Sequence, residues 1–462
     1  MSQPVLCIDF GSTFTKVVAV DVSVPRIMAT ARAFTTITTD INDGLDAAIA
    51  KISKQTNIYD WPLRYACSSA AGGLKMVAIG LVPELTSEAA KRAALSGGAK
   101  VLKTYGFELN QQECAEIERL APDIILFTGG IDGGNQKVVF HNQKMLCQIK
   151  HRCPLIYAGN KTIADQVRVG LKACGWEVYV VDNVMPAINE LNIDQARDTI
   201  RDVFLNHIIH AKGLSQIEKT IENIMMPTPS AVLKAAELLC EGTTRVKGIG
   251  ELMIVDVGGA TTDVHSVAKG EPKTSNVIIK GLQEPYIKRS VEGDLGARYS
   301  LPTLVDAVGK EVVASVMGTS IATVQQIVED LMCHPESFAN EAGLLKTFDD
   351  VAAEIAVKES TTRHAGFLQV HYTPFGTVYE QTGKDLTGVL HVIGTGGPLV
   401  HHHNIHSALK ASQHDNRNPL SLKPHASRFY LDRDYIISTM GLLSTHYPHE
   451  ALTLLKRHLV EV

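Results

Sequence analysis

The chain has 462 residues, 45% of them hydrophobic and 20% charged, with a net charge of −5. This is the make-up of a globular protein with ample sequence for large cores, and the acidic balance argues against a nucleic-acid partner held by its phosphates. No run reaches the roughly 18 uninterrupted apolar residues of a membrane span and no basic-then-apolar leader opens the chain, so a cytoplasmic protein without a membrane partner is expected.

Residues 4 to about 38 read as a β-meander. Its first turn is Ile8-Asp9-Phe10-Gly11-Ser12-Thr13-Phe14-Thr15-Lys16, an apolar strand running into Asp-x-Gly and small hydroxyl residues. Residues without bulky Cβ substituents let backbone N–H groups reach phosphate oxygens. Asp46 to Lys54 has helical spacing, and Leu63–Cys67 reads as a strand leading into Ser68-Ser69-Ala70-Ala71-Gly72-Gly73, a structural turn. An Ala- and Lys-rich helix is predicted from Ser87 to Tyr105, weakened by Gly97-Gly98.

Residues 122–182 alternate strand and helix as a small parallel sheet does. Ile124–Phe127 is a buried strand, followed by Thr128-Gly129-Gly130-Ile131-Asp132-Gly133-Gly134, a helix near Asn135–Asn142 and the strand Leu155–Asn160. A second helix, Lys161–Cys174, stops at Gly175, and Glu177–Val181 closes the unit. The glycine loop lacks the Gly-x-Gly-x-x-Gly spacing of a dinucleotide fold, so Gly129 and Gly130 are read as contacts to nucleotide phosphate or to the other lobe. Asn189 to about Cys240 is predicted mostly helical, interrupted by Met226-Pro227-Thr228-Pro229.

The opening pattern returns at Ile254-Val255-Asp256-Val257-Gly258-Gly259-Ala260-Thr261-Thr262-Asp263-Val264. Alone, either sequence is a tight Asp-Gly turn that any β protein could use. Together, and followed by Ile393-Gly394-Thr395-Gly396-Gly397-Pro398, they point to a nucleotide-hydrolysing cleft between two lobes. Asp9 and Asp256 are then the candidate catalytic carboxylates, able to orient the attacking water or to hold Mg²⁺ through water. Gly11, Ser12, Thr13, Gly258, Gly259, Thr261 and Thr262 would contact phosphates. Lys16 would add positive charge, or else face solvent from its strand. Gly394, Gly396, Gly397 and Pro398 would pass under an adenosine. In Lys288–Arg298, a glycine-flexed charged loop, Lys288, Arg289 or Glu292 would meet the nucleotide or remain solvated.

Residues 301–360 read as helical, 366–394 as strands, and the tail from Arg433 as two helical stretches parted by Tyr447-Pro448. His401-His402-His403 is not a chelate, because adjacent side chains point in different directions. The eight cysteines, Cys7, Cys67, Cys114, Cys147, Cys153, Cys174, Cys240 and Cys333, form no Cys-x-x-Cys pair and are read as reduced thiols. No P-loop and no nucleophilic triad signature is present.

At the three glycine motifs the chain resembles the superfamily of actin, sugar kinases and heat-shock chaperone ATPases. Asp9–Thr13 with Lys16 matches its first phosphate motif, Asp256–Asp263 its second, and Gly394–Pro398 its adenosine motif. A closer likeness, carried by Ile8–Lys16, Cys67–Met76, Gly129–Asn135, Val291–Gly296 and Met440–Leu443, is to the glutamate mutase MutL (GlmL) family. The resemblance implies an α/β, actin-like two-lobed ATPase fold of two ribonuclease H-like lobes with an inserted small α/β unit. It further implies ATP and Mg²⁺ as ligands, and a chaperone-like reactivating role toward an adenosylcobalamin-dependent mutase or aminomutase. A homo-oligomer stays open, as do a small-molecule kinase and a polymerising scaffold of the same superfamily. The expected divisions are 1–121, the first lobe; 122–185, the α/β unit; 186–250, a helical connection; 251–398, the second lobe; and 399–462, a helical tail.

Overall fold

The computed structural model describes residues 3–11, 14–34, 41–69, 74–97, 99–188, 190–211, 224–335, 337, 343–374 and 376–462. They form two compact units, Met1–Ser23 with Ile27–Ala231, and Val24–Arg26 with Val232–Val462. Among these residues no single helix is long and apolar enough to cross a membrane.

The first unit opens with β1 (Pro4–Phe10), β2 (Phe14–Asp21), β3 (Arg26–Phe34), α1 (Ile41–Thr56) and β4 (Leu63–Ser68). Then come β5 (Leu74–Gly80), α2 (Pro83–Gly97), β6 (Ala99–Gly106), α3 (Gln111–Leu120), β7 (Ile124–Phe127), α4 (Lys137–Gln148), β8 (Leu155–Tyr157), α5 (Ala164–Ala173) and β9 (Val178–Val180). It closes with α6 (Asp194–Ala211), β10 (Ile224–Pro227) and the start of α7 (Thr228–Glu241).

Two sheets result. The first has the order β10-β4-β1-β2-β3, with β1 antiparallel to β2 and parallel to β4, and β4 parallel to β10. The second, β6-β5-β7-β8-β9, is parallel throughout. Counted from its own first strand this is the 2-1-3-4-5 order of a doubly wound sheet. Parallel strands buried on both faces read as continuous apolar runs, and Ile124-Ile125-Leu126-Phe127 divides by alternation. Ile125 and Phe127 join Val77, Ile79, Leu155 and Tyr157 on one face. Ile124 and Leu126 join Met76, Ala78 and Ile156 in a core shared with Leu6, Ile8 and Phe10 of β1. The strands of the 122–185 segment therefore share a sheet with residues 74–106.

Local signals explain most element ends. Asn110 and Glu113 form a reciprocal capping box that starts α3. α5 buries Val167 and Leu171 one turn apart, and Gly175 follows it at φ 83°, the left-handed stop expected there. Three expectations need correction. The helix predicted from Ser87 to Tyr105 ends at Gly97, and Ala99–Gly106 is a strand paired with β5. Tertiary pairing of Val101 and Tyr105 outweighs the Ala- and Lys-rich helical composition there. Within the mostly helical stretch before Cys240, Ile224–Pro227 is an edge strand, a position proline tolerates. Cys147 and Cys174 are bonded rather than reduced, because α4 and α5 lie side by side and bring together residues 27 apart in sequence.

The second unit contains β11 (Leu252–Val257), β12 (Thr262–Val267), β13 (Val277–Ile279), β14 (Ile287–Glu292), α8 (Leu301–Asp306), α9 (Lys310–Met317), α10 (Ile321–Cys333) and α11 (Leu344–His364). It continues with β15 (Phe367–Thr373), β16 (Gly376–Thr382), β17 (His391–Thr395), α12 (Gly397–Val400), α13 (Ile405–Lys410), β18 (Arg428–Leu431), α14 (Ile437–Leu443), α15 (Pro448–His458) and β19 (Val460–Glu461). Its main sheet, β14-β12-β11-β17-β18-β19, repeats the first sheet of the other unit. An antiparallel meander of β11, β12 and β14 is followed by β17 and β18, both parallel to the first strand. In both units the order is 3-2-1-4-5, the ribonuclease H-like arrangement. A separate smaller sheet has the order β13-β16-β15.

The disulfide closes a loop that contains β8. Replacing Cys147 with Ser should lower unfolding free energy by about 3 kcal/mol, read as a lower urea midpoint under non-reducing conditions. The same shift is expected for the unmodified protein in reductant.

Candidate functional site

In the first unit β1 is buried at every residue after Pro4, and Asp9 near its carboxyl end is only 2% exposed. Asp9 pairs with Lys16, and Phe10 with Thr15, so Lys16 stands cross-strand from Asp9 on the same face. The Gly11 N–H donates to the carbonyls of Asp9 and Phe14, both at 3.1 Å. A Cβ at Gly11 would lie 2.6 Å from the Phe14 oxygen, so this position favours glycine. Ser12 and Thr13 lie outside the described residues, as do Ala70 to Gly73.

The Asp9 carboxylate meets groups from two other strand ends. Thr228, directly after β10, donates its hydroxyl to Oδ1 at 2.6 Å, and the Cys67 thiol at the end of β4 lies 3.6 Å from the same oxygen. Burial holds the Cys67 thiol well above its usual pKa, and the neighbouring carboxylate pushes it in the same direction. Thr228 escaped the sequence reading, where Met226-Pro227-Thr228-Pro229 registered only as a helix break. The available signal was a hydroxyl residue closing a short apolar run.

The second unit builds a corresponding edge. Asp256 and Val257 end β11, pairing with Asp263 and Thr262 across the hairpin. The Gly258 N–H donates to Thr261 O at 2.9 Å, and a Cβ there would also fall 2.9 Å from that oxygen. The carbonyls of Gly258 and Gly259 accept from the N–H groups of Ala297, Arg298 and Tyr299 at 2.9–3.0 Å. Among the described residues the N–H groups of Gly259 and Ala260 have no backbone acceptor, the condition an anion-binding turn requires. Gly296 packs beneath, where a Cβ would meet the Ala260 carbonyl carbon at 2.3 Å.

Side chains around this turn are largely committed to one another. Thr262 is fully buried and donates to Leu295 O at 2.7 Å, while Thr261 donates to Asp263 at 3.1 Å. Arg289 pairs with Asp263 at 2.6 Å, and Lys288 reaches Glu284 and the His364 carbonyl, both at 3.1 Å. Glu292 and Asp294 share Arg363 at 2.8 and 2.7 Å, and that guanidinium holds the Asp294 carboxyl below its usual range.

Gly394 and Thr395 end β17 next to β11, with Thr395 opposite Asp256. Gly396 then adopts φ 96°, and a Cβ on it would lie 2.2 Å from the Val257 oxygen and 2.8 Å from Asp256 Oδ1. The second hairpin and the third glycine cluster are thus packed backbone to backbone. Gly397 and Pro398 open α12. Asp432, 1% exposed after β18, also went unnoticed in the sequence. It accepts from Thr395 Oγ1 at 3.0 Å and from the N–H groups of Ile436 and Ile437 at 2.9 and 3.2 Å.

Gly129 and Gly130 lie in the other sheet of the first unit, at φ 146° and 71°. Their loop is fixed by Asn183, which donates to Gly130 O and Asp132, and by fully buried Asn160, which accepts from the Gly133 N–H and donates to Gly134 O. This is the carboxyl edge of β5, β7 and β8, where doubly wound sheets take their ligands. In the histidine run, His402 sits 3.2 Å from the Asp350 carbonyl. Among the described residues no group of three or more His, Cys, Asp or Glu is gathered to hold a metal ion.

Two ribonuclease H-like sheets in one chain, each with a glycine turn after an acidic first strand, define the actin-like α/β fold of sugar kinases and chaperone ATPases. The chain belongs to the MutL protein family, whose sequence profile matches residues 5–459. It is 46% identical to Protein MutL of Clostridium tetanomorphum over 459 residues, 99% of each chain. Similar solved structures include the activator of 2-hydroxyisocaproyl-CoA dehydratase from Clostridium difficile with bound ADPNP, at 9% identity and a TM-score of 0.31, covering 98% of this chain and 97% of that one. A glycerol dehydratase reactivase gives 11% identity and a TM-score of 0.35, covering 96% and 99%. Gluconate kinase from Lactobacillus acidophilus gives 10% and 0.35, covering 100% and 93%.

Two outcomes follow from this geometry. Gly396→Ala should destabilise the second unit by roughly 1–3 kcal/mol, whereas Gly397→Ala, with open space around the new methyl, should stay within about 0.5 kcal/mol in urea unfolding. Burial, aided by Arg289, lowers the His265 pKa to about 3. The unfolded histidine binds its proton near 6.5, so its contribution is complete above that value and is lost as pH falls toward 3. His265→Leu should flatten the pH dependence of the urea midpoint in this window, by up to about 1.4 kcal/mol per pH unit.

Proposed function

We propose that this protein binds and hydrolyses ATP and acts in the cytoplasm as a chaperone-like reactivating factor for an adenosylcobalamin-dependent mutase or aminomutase. The observation that carries the ATPase reading is the repetition of one device. In both units the first strand of a 3-2-1-4-5 sheet carries an aspartate next to its last residue and is followed at once by a glycine whose Cβ would crowd the hairpin backbone. The mutase partner rests on the family resemblance carried by Ile8–Lys16, Cys67–Met76, Gly129–Asn135, Val291–Gly296 and Met440–Leu443.

In this reading Gly11, Ser12, Thr13 and Lys16 of the first unit contact phosphates, as do Gly258, Gly259 and Thr261 of the second. Thr262, expected as a further contact, is fully buried, with its hydroxyl on Leu295 and strand partners on both sides, and braces the turn instead. Gly394, Gly396, Gly397 and Pro398 lie beneath the adenosine, Glu292 reaches the nucleotide from its pair with Arg363, and Gly129 and Gly130 give a further contact. The second turn fits such a ligand, because among the described residues the N–H groups of Gly259 and Ala260 have no backbone acceptor. Asp9 and Asp256 orient the attacking water and would hold Mg²⁺ through water; when bound, that ion neutralises charge on the phosphates. Work on a partner requires that the partner bind the ATP and ADP states with different affinity.

Purified protein should release phosphate from ATP without any added sugar or acid. Asp9→Asn and Asp256→Asn should each lower kcat by about 100-fold or more, and EDTA should abolish turnover. A pull-down with ATP and with ADP should recover a cobalamin-dependent mutase in only one of the two states. Phosphate release that depends strictly on an added small-molecule acceptor would replace this reading with a kinase.

A further inference from the structure

We infer that Thr228 is a positioning residue for Asp9, holding its carboxylate in one orientation for the reaction; this rests on the reading that Asp9 serves ATP hydrolysis. The hydroxyl donates to Asp9 Oδ1 at 2.6 Å, within the range of an O–H bond to a carboxylate. Asp9 is 2% exposed, so the orientation of its carboxylate is set largely by neighbouring protein groups rather than by bulk solvent. The placement follows from strand register: Asp9 pairs with Cys67, Cys67 with Met226, and Ser68 with Pro227. Thr228 is the next residue, at the same sheet end as the Asp9 turn.

The residue types fit the task. A β-branched side chain is stiff about χ1, so threonine presents its hydroxyl in a fixed direction at little entropic cost. The Cys67 thiol also lies beside Oδ1, at 3.6 Å from it and 3.7 Å from the Thr228 hydroxyl. A thiol is a weak donor and is no substitute for the hydroxyl. Asp9 also interacts with groups beyond these two, so Thr228 directs the carboxylate rather than being its sole support.

The experiment compares steady-state ATP hydrolysis by Thr228→Val, Thr228→Ala, Thr228→Ser and Asp9→Asn, with urea unfolding of each. Valine keeps the shape and removes the donor; serine keeps the donor and removes the methyl. Positioning predicts that Val and Ala each lower kcat about 10-fold or more while KM for ATP stays within about twofold, and that Ser retains kcat within about threefold. The urea midpoint of the Val variant should stay near that of the unmodified protein. Turnover by both Val and Ala within about twofold of the unmodified protein, with Asp9→Asn inactive, overturns the role of Thr228 and leaves that of Asp9 standing. A Ser variant as impaired as Val also overturns it, as a packing effect. Full activity in Asp9→Asn removes the underlying reading and this inference with it.

Discussion

A carboxyl group at the buried end of a strand must find hydrogen-bond donors inside the protein, and much of the layout of both main sheets follows from meeting that demand. Leaving such a group unsatisfied costs several kcal/mol. In the first unit two neighbours of Asp9 are Cys67 in β4 and Thr228 directly after β10, and they reach it because both strands run parallel to β1. In the second unit Asp432 is held by Thr395 and by two N–H groups at the start of the following helix. The same strand order thus serves two solutions, one made mainly by side chains and one anchored in the backbone.

Rigidity around the second turn has a complementary source. The carbonyls of Gly258 and Gly259 are engaged from below by residues 297–299, which fixes the peptide planes and turns the N–H side outward. The charged loop that follows contributes through internal pairs, Arg289 with Asp263 and Arg363 with Glu292 and Asp294. These pairs tie β12, β14 and α11 together around the turn. Glycines occupy the points where two backbones approach closest, at Gly296 against Ala260 and Gly396 against Val257.

What the sequence disclosed was local. Both Asp-Gly hairpins are legible because apolar strand, acid, glycine and hydroxyl follow one another without a gap. The strands at Ile124–Phe127 and Leu155–Tyr157 are legible because their continuous apolar runs are short and bounded by glycine or polar residues. Thr228 and Asp432 were not, since their roles depend on parallel pairing with strands far away in the chain. Residues 99–106 were misread because Ala and Lys favour a helix while pairing with β5 decides otherwise. The Cys147–Cys174 bond was hidden for a related reason: sequence spacing says nothing of which helices lie side by side.

The doubly wound sheet has a further implication for how this protein can be divided. One of its faces, through Met76, Ala78, Ile124, Leu126 and Ile156, packs in the same core as Leu6, Ile8 and Phe10. Excising it as a free-standing module would strip that face to water, at roughly 2 kcal/mol for each large side chain exposed. It has the topology of an autonomous fold without the autonomy. Truncations meant to isolate it therefore have to retain the strands of residues 4–34 that share this core.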